Sequence, residues 1–376
     1  MTADNLESSE SNDVKLASER QLVWARFRKH KLALISAVIV AFFYLVAFGA
    51  EFVAVNDPVE TDAKRSLMPP QSIHVFDGLK PAPYVCAMIG KRDPVSLKKT
   101  FDEDCSEKIP MQFFARGFEY KFLGLLHSNR HLIGVGDSTR SHESLVFPLG
   151  TDVQGRGLFS RIVYGTRFSL SIGLVGVTLT LILGVSLGAI SGYFGGVIDT
   201  VIQRSVEIFR AIPTIPIWLV LAGILPRDWG VLQIYFAITI IISLFAWTDL
   251  ARVVRGKFLS LREEDFVTAA MLSGGGWQRI VFRHMLPSFY SHLIAATTLA
   301  IPSMIISETA LSFLGLGLRS PAISWGVLLH ATQNVHSIAL TPWLMLPALP
   351  VIVVILALNF MGDGLRDAAD PYSSTS

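Results

Sequence analysis

The glycine–lysine pairs Gly90–Lys91 and Gly256–Lys257 are the places where this chain comes nearest to a phosphate-binding loop. Such a loop needs a further glycine upstream and a Ser or Thr after the lysine, because backbone N–H groups and that hydroxyl hold the phosphates and Mg²⁺. Both pairs lack the upstream glycine and the following hydroxyl residue. The sequence therefore predicts that the chain has no nucleotide site of its own.

The other reactive residues lack the spacing of a catalytic or metal site. The sequence contains no H-E-x-x-H motif, no Cys/His cluster with ligand spacing and no nucleophile elbow. His284 lies on the apolar side of its predicted helix, where a packed histidine is more common than a ligand. We therefore expect no catalysis, no metal and no cofactor bound by this chain. No basic tract with interleaved aromatic residues predicts nucleic acid as a partner.

Asp249 and Glu308 are the acidic residues nearest to the interiors of the long apolar runs, and both lie near a predicted helix end. Proton- or sodium-coupled carriers usually place a charge closer to the middle of the membrane. The sequence therefore predicts no ion coupling by this chain, and any energy source is expected to lie in another chain. Glu308 and Ser312 either line a pathway or pack between helices, and the sequence favours neither reading.

Most of the residues discussed above lie within or beside long apolar runs of the sequence. The chain has 376 residues, of which 51% are hydrophobic and 16% charged, and its apolar runs match the roughly 20 helical residues that cross a bilayer. The predicted fold is an all-α polytopic membrane protein with six transmembrane helices. The predicted spans are residues 32–50, 168–190, 206–225, 229–250, 288–311 and 343–361. Pro213 and Pro216 break the third, and Gly184-x-x-x-Gly188 permits close helix packing in the second.

Two polar regions accompany the spans. Residues 1–31 are predicted to be a disordered tail followed by a short basic, amphipathic helix. Residues 51–165 contain Pro-rich turns and many aromatic residues, and they predict a small extracytoplasmic insertion of strands and turns between helices 1 and 2. Both cysteines, Cys86 and Cys105, lie in this insertion. This placement fits a disulfide, with two free thiols as the alternative.

The basic residues of the short loops predict the orientation. The short loops 191–210 and 251–287 carry eight Arg and Lys residues, whereas the short loops around 226–228 and 316–342 carry only Arg227 and Arg319. The long segment 51–165 is left out of this count, because long loops cross the membrane largely regardless of charge. Because Arg and Lys residues of short loops concentrate in the cytoplasm, both termini and the loop 251–287 are expected there. The transmembrane core is then 166–362 and the cytoplasmic tail 363–376.

Residues 265–287, which we call the docking segment, form a patterned loop between two spans. Two short helices are predicted, joined at Gly274–Gly276, with acidic residues before the first. Ala269, Ala270 and Gly274 leave a face with almost no side chain. Such a face predicts close contact with a partner, and a helix lying on the membrane is the alternative.

Several strings then occur in the order of a known family. They are Thr268-Ala269-Ala270 with Gly274 and His284-Met285-Leu286-Pro287, LGTDVQGR at 149–156, GYFGG at 192–196 with Asp199, ETALSFLGLG at 308–317, and GDGLRD at 362–367 with Asp370-Pro371. Together they resemble ABC importer permeases of the oligopeptide/dipeptide/nickel family, in particular the C-type subunit. Two positions depart from the family pattern: Thr268 replaces the glutamate of the "EAA" signature, and Gly157 replaces a frequent aspartate.

This resemblance implies a type I ABC importer in a bacterial inner membrane. The implied partners are a second permease subunit, two ATPases that use ATP and Mg²⁺, and an extracytoplasmic substrate-binding protein. The residues implied in ATPase coupling are Asp265, Thr268, Ala269, Ala270, Gly274, Arg279, Arg283, His284, Leu286 and Pro287. Peptides are the expected cargo. Oligosaccharides, opines or nickel remain alternatives for the same machinery, and an ion-coupled secondary carrier is the alternative of another class.

Overall fold

The computed structural model describes residues 19–77, 80–92, 94, 99–122, 124–135, 145–226, 228–334 and 339–369. The predicted disordered tail before residue 19, Arg227, and Asp370 with the residues after it lie outside these ranges. The helices are α1 (Glu19–Lys29), α2 (Lys31–Phe48), α3 (Ala50–Val53), α4 (Leu158–Phe194), α5 (Gly196–Ala211), α6 (Thr214–Gly223), α7 (Val231–Leu261), α8 (Asp265–Leu272), α9 (Trp277–Arg279), α10 (Tyr290–Phe313), α11 (Trp325–His330) and α12 (Ala348–Ala369).

Within the described residues, five helical stretches are long and apolar enough to cross a membrane. The pair α5–α6 makes a sixth if it forms one broken span, and the two helices meet at 84°. The bend lies at Ile212–Pro213, because a proline lacks an N–H group and forces the residue before it out of the helical region. Ile212 is extended, with ψ 126°. Pro216 lies in the first turn of α6, where proline is tolerated.

Several helices are longer than the apolar runs predicted. α4 begins at Leu158 instead of residue 168, and α12 continues to Ala369, so helix replaces the start of the predicted tail. α7 continues to Leu261, and the prediction that Asp249 lies near a helix end is therefore wrong. The reason is that a charged residue marks the edge of an apolar run, whereas the helical hydrogen bonds continue past it.

Glycines of α4 bring it against α7. A Cβ added at Gly188 would lie 2.5 Å from the carbonyl oxygen of Ala251, and one at Gly192 would lie 2.5 Å from Cβ of Phe258. Gly184 likewise faces Leu250. The close packing that the Gly184-x-x-x-Gly188 spacing permits is therefore present, and it joins α4 to α7 along one side.

The insertion between α2 and α4 contains strands, as predicted. β1 (Ile73–Asp77), β2 (Lys80–Arg92), β3 (Lys99–Phe113) and β6 (Ile133–Val135) form an antiparallel sheet in the order β1-β2-β3-β6. β4 (Arg116–Phe122) and β5 (Leu126–Arg130) form a hairpin beside it. A disulfide joins Cys86 on β2 to Cys105 on β3. The disulfide prediction is thus confirmed, and the alternative of free thiols is wrong.

Polar contacts fix the insertion to the start of α4. Backbone N–H groups of Val55 and Asn56 donate to Ser160 Oγ, and the Arg167 guanidinium holds both carboxylate oxygens of Glu51 at 2.5–2.6 Å. α4 therefore connects the insertion at one end of the bundle with the docking segment at the other.

Candidate docking site

The docking segment folds as two short helices, which are followed by two irregular helical turns. α8 and α9 are joined by Ser273–Gly276, and residues Ile280–Met285 form a wide, π-type turn that passes into a 3₁₀ turn at Leu286–Phe289. Gly274 has φ +75°, a left-handed conformation that glycine adopts without strain. The predicted pair of helices joined at the glycines is present. The wide turn was not foreseen, because periodicity does not distinguish it from an α-helix.

One side of the docking segment is anchored in the bundle. Its buried residues are Val267, Ile280, Val281, Met285 and Leu286. They pack with Val185 and Ala189 of α4, and with Val254 and Phe258 of α7. The segment is therefore part of the same hydrophobic core as the ends of two long helices, and it cannot shift without them.

The other side is exposed. Asp265, Thr268, Ala269, Gly274, Arg279 and Arg283 are exposed, Ala270, His284 and Pro287 are half-buried, and Leu286 is buried. Five large apolar side chains of the docking segment are also exposed, and Leu272 is the most exposed at 85%: Phe266, Met271, Leu272, Trp277 and Phe282. Apart from its two chain neighbours, no described residue lies within 4 Å of a Cβ added at Gly274. A surface that combines small residues with exposed apolar ones is typical of an interaction site.

Thr268 contributes no charge at the position of the missing glutamate. Its hydroxyl is 3.4 Å from the carbonyl oxygen of Glu264, one turn earlier in the chain. Glu263 and Glu264 are exposed nearby. The predicted small-residue face therefore exists without the carboxylate of the family signature.

A second layer of contacts reinforces the ends of α4, α5 and α7. The Asp199 carboxylate accepts two hydrogen bonds from the Arg255 guanidinium, at 2.5 and 2.6 Å, and one from the Ser191 hydroxyl. Arg262 Nη1 donates to the carbonyl of Tyr193 at 3.3 Å. Sequence reasoning counted Arg255 only as a loop charge, because nothing in the spacing shows that it meets Asp199.

Glu308 and Ser312 are both buried inside the chain. Glu308 Oε1 accepts hydrogen bonds from the hydroxyls of Ser312 and Ser324, each at 2.8 Å. These contacts tie α10 to the start of α11. Of the two readings that the sequence left open, this geometry favours helix packing, and a role in lining a pathway stays a prediction.

Asp152 and Arg156 pair before α4, at 2.8 Å. The Asp152 carboxylate also accepts the backbone N–H groups of Gln154 and Arg156. Together they fix the turn that leads into the helix, which is an orienting role.

Comparisons with known proteins agree with this arrangement. A family model described as "Binding-protein-dependent transport system inner membrane component" matches residues 184–373. A second, "N-terminal TM domain of oligopeptide transport permease C", matches residues 18–70. The unmatched stretch between them contains the sheet of the insertion.

Individual relatives give the same result. The chain is 32% identical to the dipeptide transport system permease protein DppC of Lactococcus lactis, over 94% of this chain and 91% of that protein. It is 38% identical to the oligopeptide transport system permease protein OppC of Haemophilus influenzae, over 59% of this chain and 69% of that one.

Among solved structures, a chain of the MetNI methionine ABC transporter is 20% identical, with a TM-score of 0.44, covering 57% of this chain and 98% of that chain. The family models and the curated relatives place both the helices and the docking segment in one group of proteins. This chain belongs to the family of inner-membrane permease components of binding-protein-dependent ABC importers.

Proposed function

We propose that the chain is one of two permease subunits in an ATP-driven importer of peptides, and that its docking segment couples to a separate ATPase. The peptide cargo is supported by the names of the relatives, which are oligopeptide and dipeptide permeases. In this proposal the chain itself catalyses no reaction, and ATP with Mg²⁺ is bound and hydrolysed by the partner.

The two-sided docking segment carries this proposal. Its inner side shares a core with α4 and α7, and its outer side presents Leu272, Phe282 and the open Gly274 turn. A partner that holds the outer side and moves would displace the ends of both long helices as one body. Because packed cores switch between discrete arrangements instead of deforming gradually, such a displacement can change access at the other end of the bundle.

The proposed orientation places the docking segment and both termini in the cytoplasm. The basic residues near the docking segment support it, since Arg and Lys concentrate on the cytoplasmic side. The insertion then lies outside, where its disulfide persists and where a substrate-binding protein would meet it. A second permease subunit would complete the pathway.

The test of coupling is the substitution Gly274→Asp in the complete transporter. Docking would bury the new carboxylate without a partner, which costs about 3 kcal/mol, or roughly a hundredfold in affinity. We expect peptide uptake to fall to background, while the subunit stays in the membrane at wild-type levels.

Gly124→Asp is the matched control. Gly124 has φ +76° and, like Gly274, has no described residue beyond its two chain neighbours within 4 Å of an added Cβ, but it lies in the hairpin of the insertion. Uptake should survive this change. Normal uptake and normal ATPase co-purification in Gly274→Asp would defeat the proposal.

A further inference from the structure

A cavity of about 500 Å³ lies among α4, α5, α6, α7 and α10. Its volume falls within the range of roughly 300–1,000 Å³ that small-ligand sites occupy. Its wall is mostly apolar, with side chains such as Trp218, Ile242 and Phe245. This cavity is distinct from the docking segment, none of whose residues lines it.

Two polar atoms in the wall lack a hydrogen-bond partner among the described residues. They are the hydroxyl oxygen of Thr180 and the indole Nε1 of Trp218. Thr180 is only 3% exposed. Buried polar groups are nearly always paired, so these two atoms point to a polar group that enters the cavity.

An ion pair lies at the edge of the same cavity. The Arg210 guanidinium, at the end of α5, contacts the Asp249 carboxylate on α7. The side chains are 41% and 76% exposed, although both helices belong to the apolar bundle. Charged residues within membrane helices are costly, and those that occur face a water-filled cavity or a partner and mark substrate pathways.

We propose that this cavity is a transport subsite for the two charged ends of a short peptide. Asp249 takes the α-ammonium group, and Arg210 takes the α-carboxylate in the two-pronged geometry that guanidinium groups favour. The ammonium group of the peptide replaces Arg210 as the partner of Asp249, and the carboxylate of the peptide replaces Asp249 as the partner of Arg210. Each charged side chain therefore keeps a partner of opposite charge. The Trp218 N–H and the Thr180 hydroxyl then pair with amide groups of the peptide.

The proposal rests on the proposed peptide cargo and adds a rule of specificity. A peptide blocked at one end leaves either Arg210 or Asp249 without a partner after the exchange. A peptide blocked at both ends has no charged terminus, so it leaves the Arg210–Asp249 pair intact and forms no ion pair with either residue. Free termini at both ends are therefore required for tight contact at this site.

Thiol protection tests occupancy directly. The two cysteines of the chain are bonded to each other, so one introduced cysteine is its single reactive thiol. Ser303→Cys places the thiol in the cavity wall, and Thr178→Cys places it on an exposed part of α4 outside the cavity. Both variants are studied in the complete transporter, in phosphatidylcholine vesicles whose headgroups carry no ammonium N–H.

We expect the dipeptide Phe-Ala to slow maleimide labelling of Ser303→Cys several-fold. N-acetyl-Phe-Ala-amide should not slow it, and labelling of Thr178→Cys should be unchanged by either compound. Protection by phosphatidylethanolamine vesicles without peptide would assign the site to lipid instead and would overturn the proposal.

Uptake measurements test the two charges. Asp249→Asn should lower uptake of Phe-Ala about tenfold, as expected for one lost hydrogen bond to a charged group. The same change should narrow the preference for Phe-Ala over its N-acetyl form. Arg204→Gln is the control, because Arg204 pairs with Glu207 on the same helix but outside the cavity.

The outcomes separate this proposal from the proposed function. If the wild-type transporter imports no peptide, the proposed function itself fails. If it imports Phe-Ala, but Ser303→Cys is unprotected and Asp249→Asn keeps the wild-type preference, the subsite is overturned. Loss of the second permease from Asp249→Asn preparations, with no protection at Ser303→Cys, would show that the pair serves assembly and would also overturn it.

Discussion

Glu308 is held inside the protein by hydroxyls on both sides of it. Ser312 lies one turn later on α10 and Ser324 stands at the start of α11, so the carboxylate joins two elements. Ser324 Oγ also accepts the N–H of Val327, in the first turn of α11. We therefore assign Glu308 a structural role.

This assignment predicts different results for two substitutions. Glu308→Ala removes the acceptor of two buried hydroxyls and leaves a cavity, which should cost about 2–4 kcal/mol of stability. Glu308→Gln keeps an acceptor and should cost about 1 kcal/mol. Thermal unfolding of the solubilised transporter measures both.

Uptake distinguishes this role from one in a pathway. A packing role predicts that Glu308→Gln transports peptide nearly as well as the wild type. If Glu308→Gln strongly lowers uptake but leaves the thermal stability of the transporter at the wild-type level, Glu308 instead lines the transport pathway.

The contact of α4 with α7 requires glycine on α4, because a side chain at these positions would collide with α7. A methyl group at Gly188 would meet a backbone carbonyl, which cannot move aside as a flexible side chain can. Because the docking segment packs on the same two helices, this contact also sets its position.

Gly188→Ala should therefore lower stability by about 1–3 kcal/mol, the usual cost of overpacking. Gly256→Ala, on α7, is the matched control, because among the described residues an added Cβ meets no atom within 4 Å beyond the nearby backbone of its own helix and its chain neighbours. Alanine is the better helix former, and the control should gain about 0.5–1 kcal/mol. Equal effects of the two changes, measured by thermal unfolding, would contradict the packing argument.

Local features of these elements were predictable from the sequence. The bend at Pro213 follows from the chemistry of one residue, and the close approach at Gly188 follows from glycine spacing. The Asp199–Arg255 and Arg210–Asp249 contacts were not predictable, because each joins residues from different helices whose meeting depends on the bends between them.

The insertion and the helical bundle have separate hydrophobic cores. Val85, Ile109 and Val146 form a core of the insertion, apart from the clusters that join the long helices. The disulfide closes a loop between residues separated by 19 positions, within the sheet. The sequence favoured this pairing because both cysteines lie in one predicted extracytoplasmic segment, where disulfides persist.

Cys86→Ser combined with Cys105→Ser should destabilise the insertion by about 3 kcal/mol, as expected for a loop of this length. Limited proteolysis should then cut the sheet faster while the long helices stay protected. The wild type treated with a reductant is the parallel sample, and it should show the same cleavage. Equal loss of protection in the helices would show that the two cores unfold together.

The exposed Arg210–Asp249 pair has a consequence for how the subunit is made. If the chain pairs with a second permease, as proposed, a copy that enters the bilayer before that partner would expose both charges to lipid, where a charge is costly. We expect such an orphan copy to be short-lived, so that balanced synthesis of the two permeases, rather than the affinity of either one for lipid, limits how many transporters a cell accumulates.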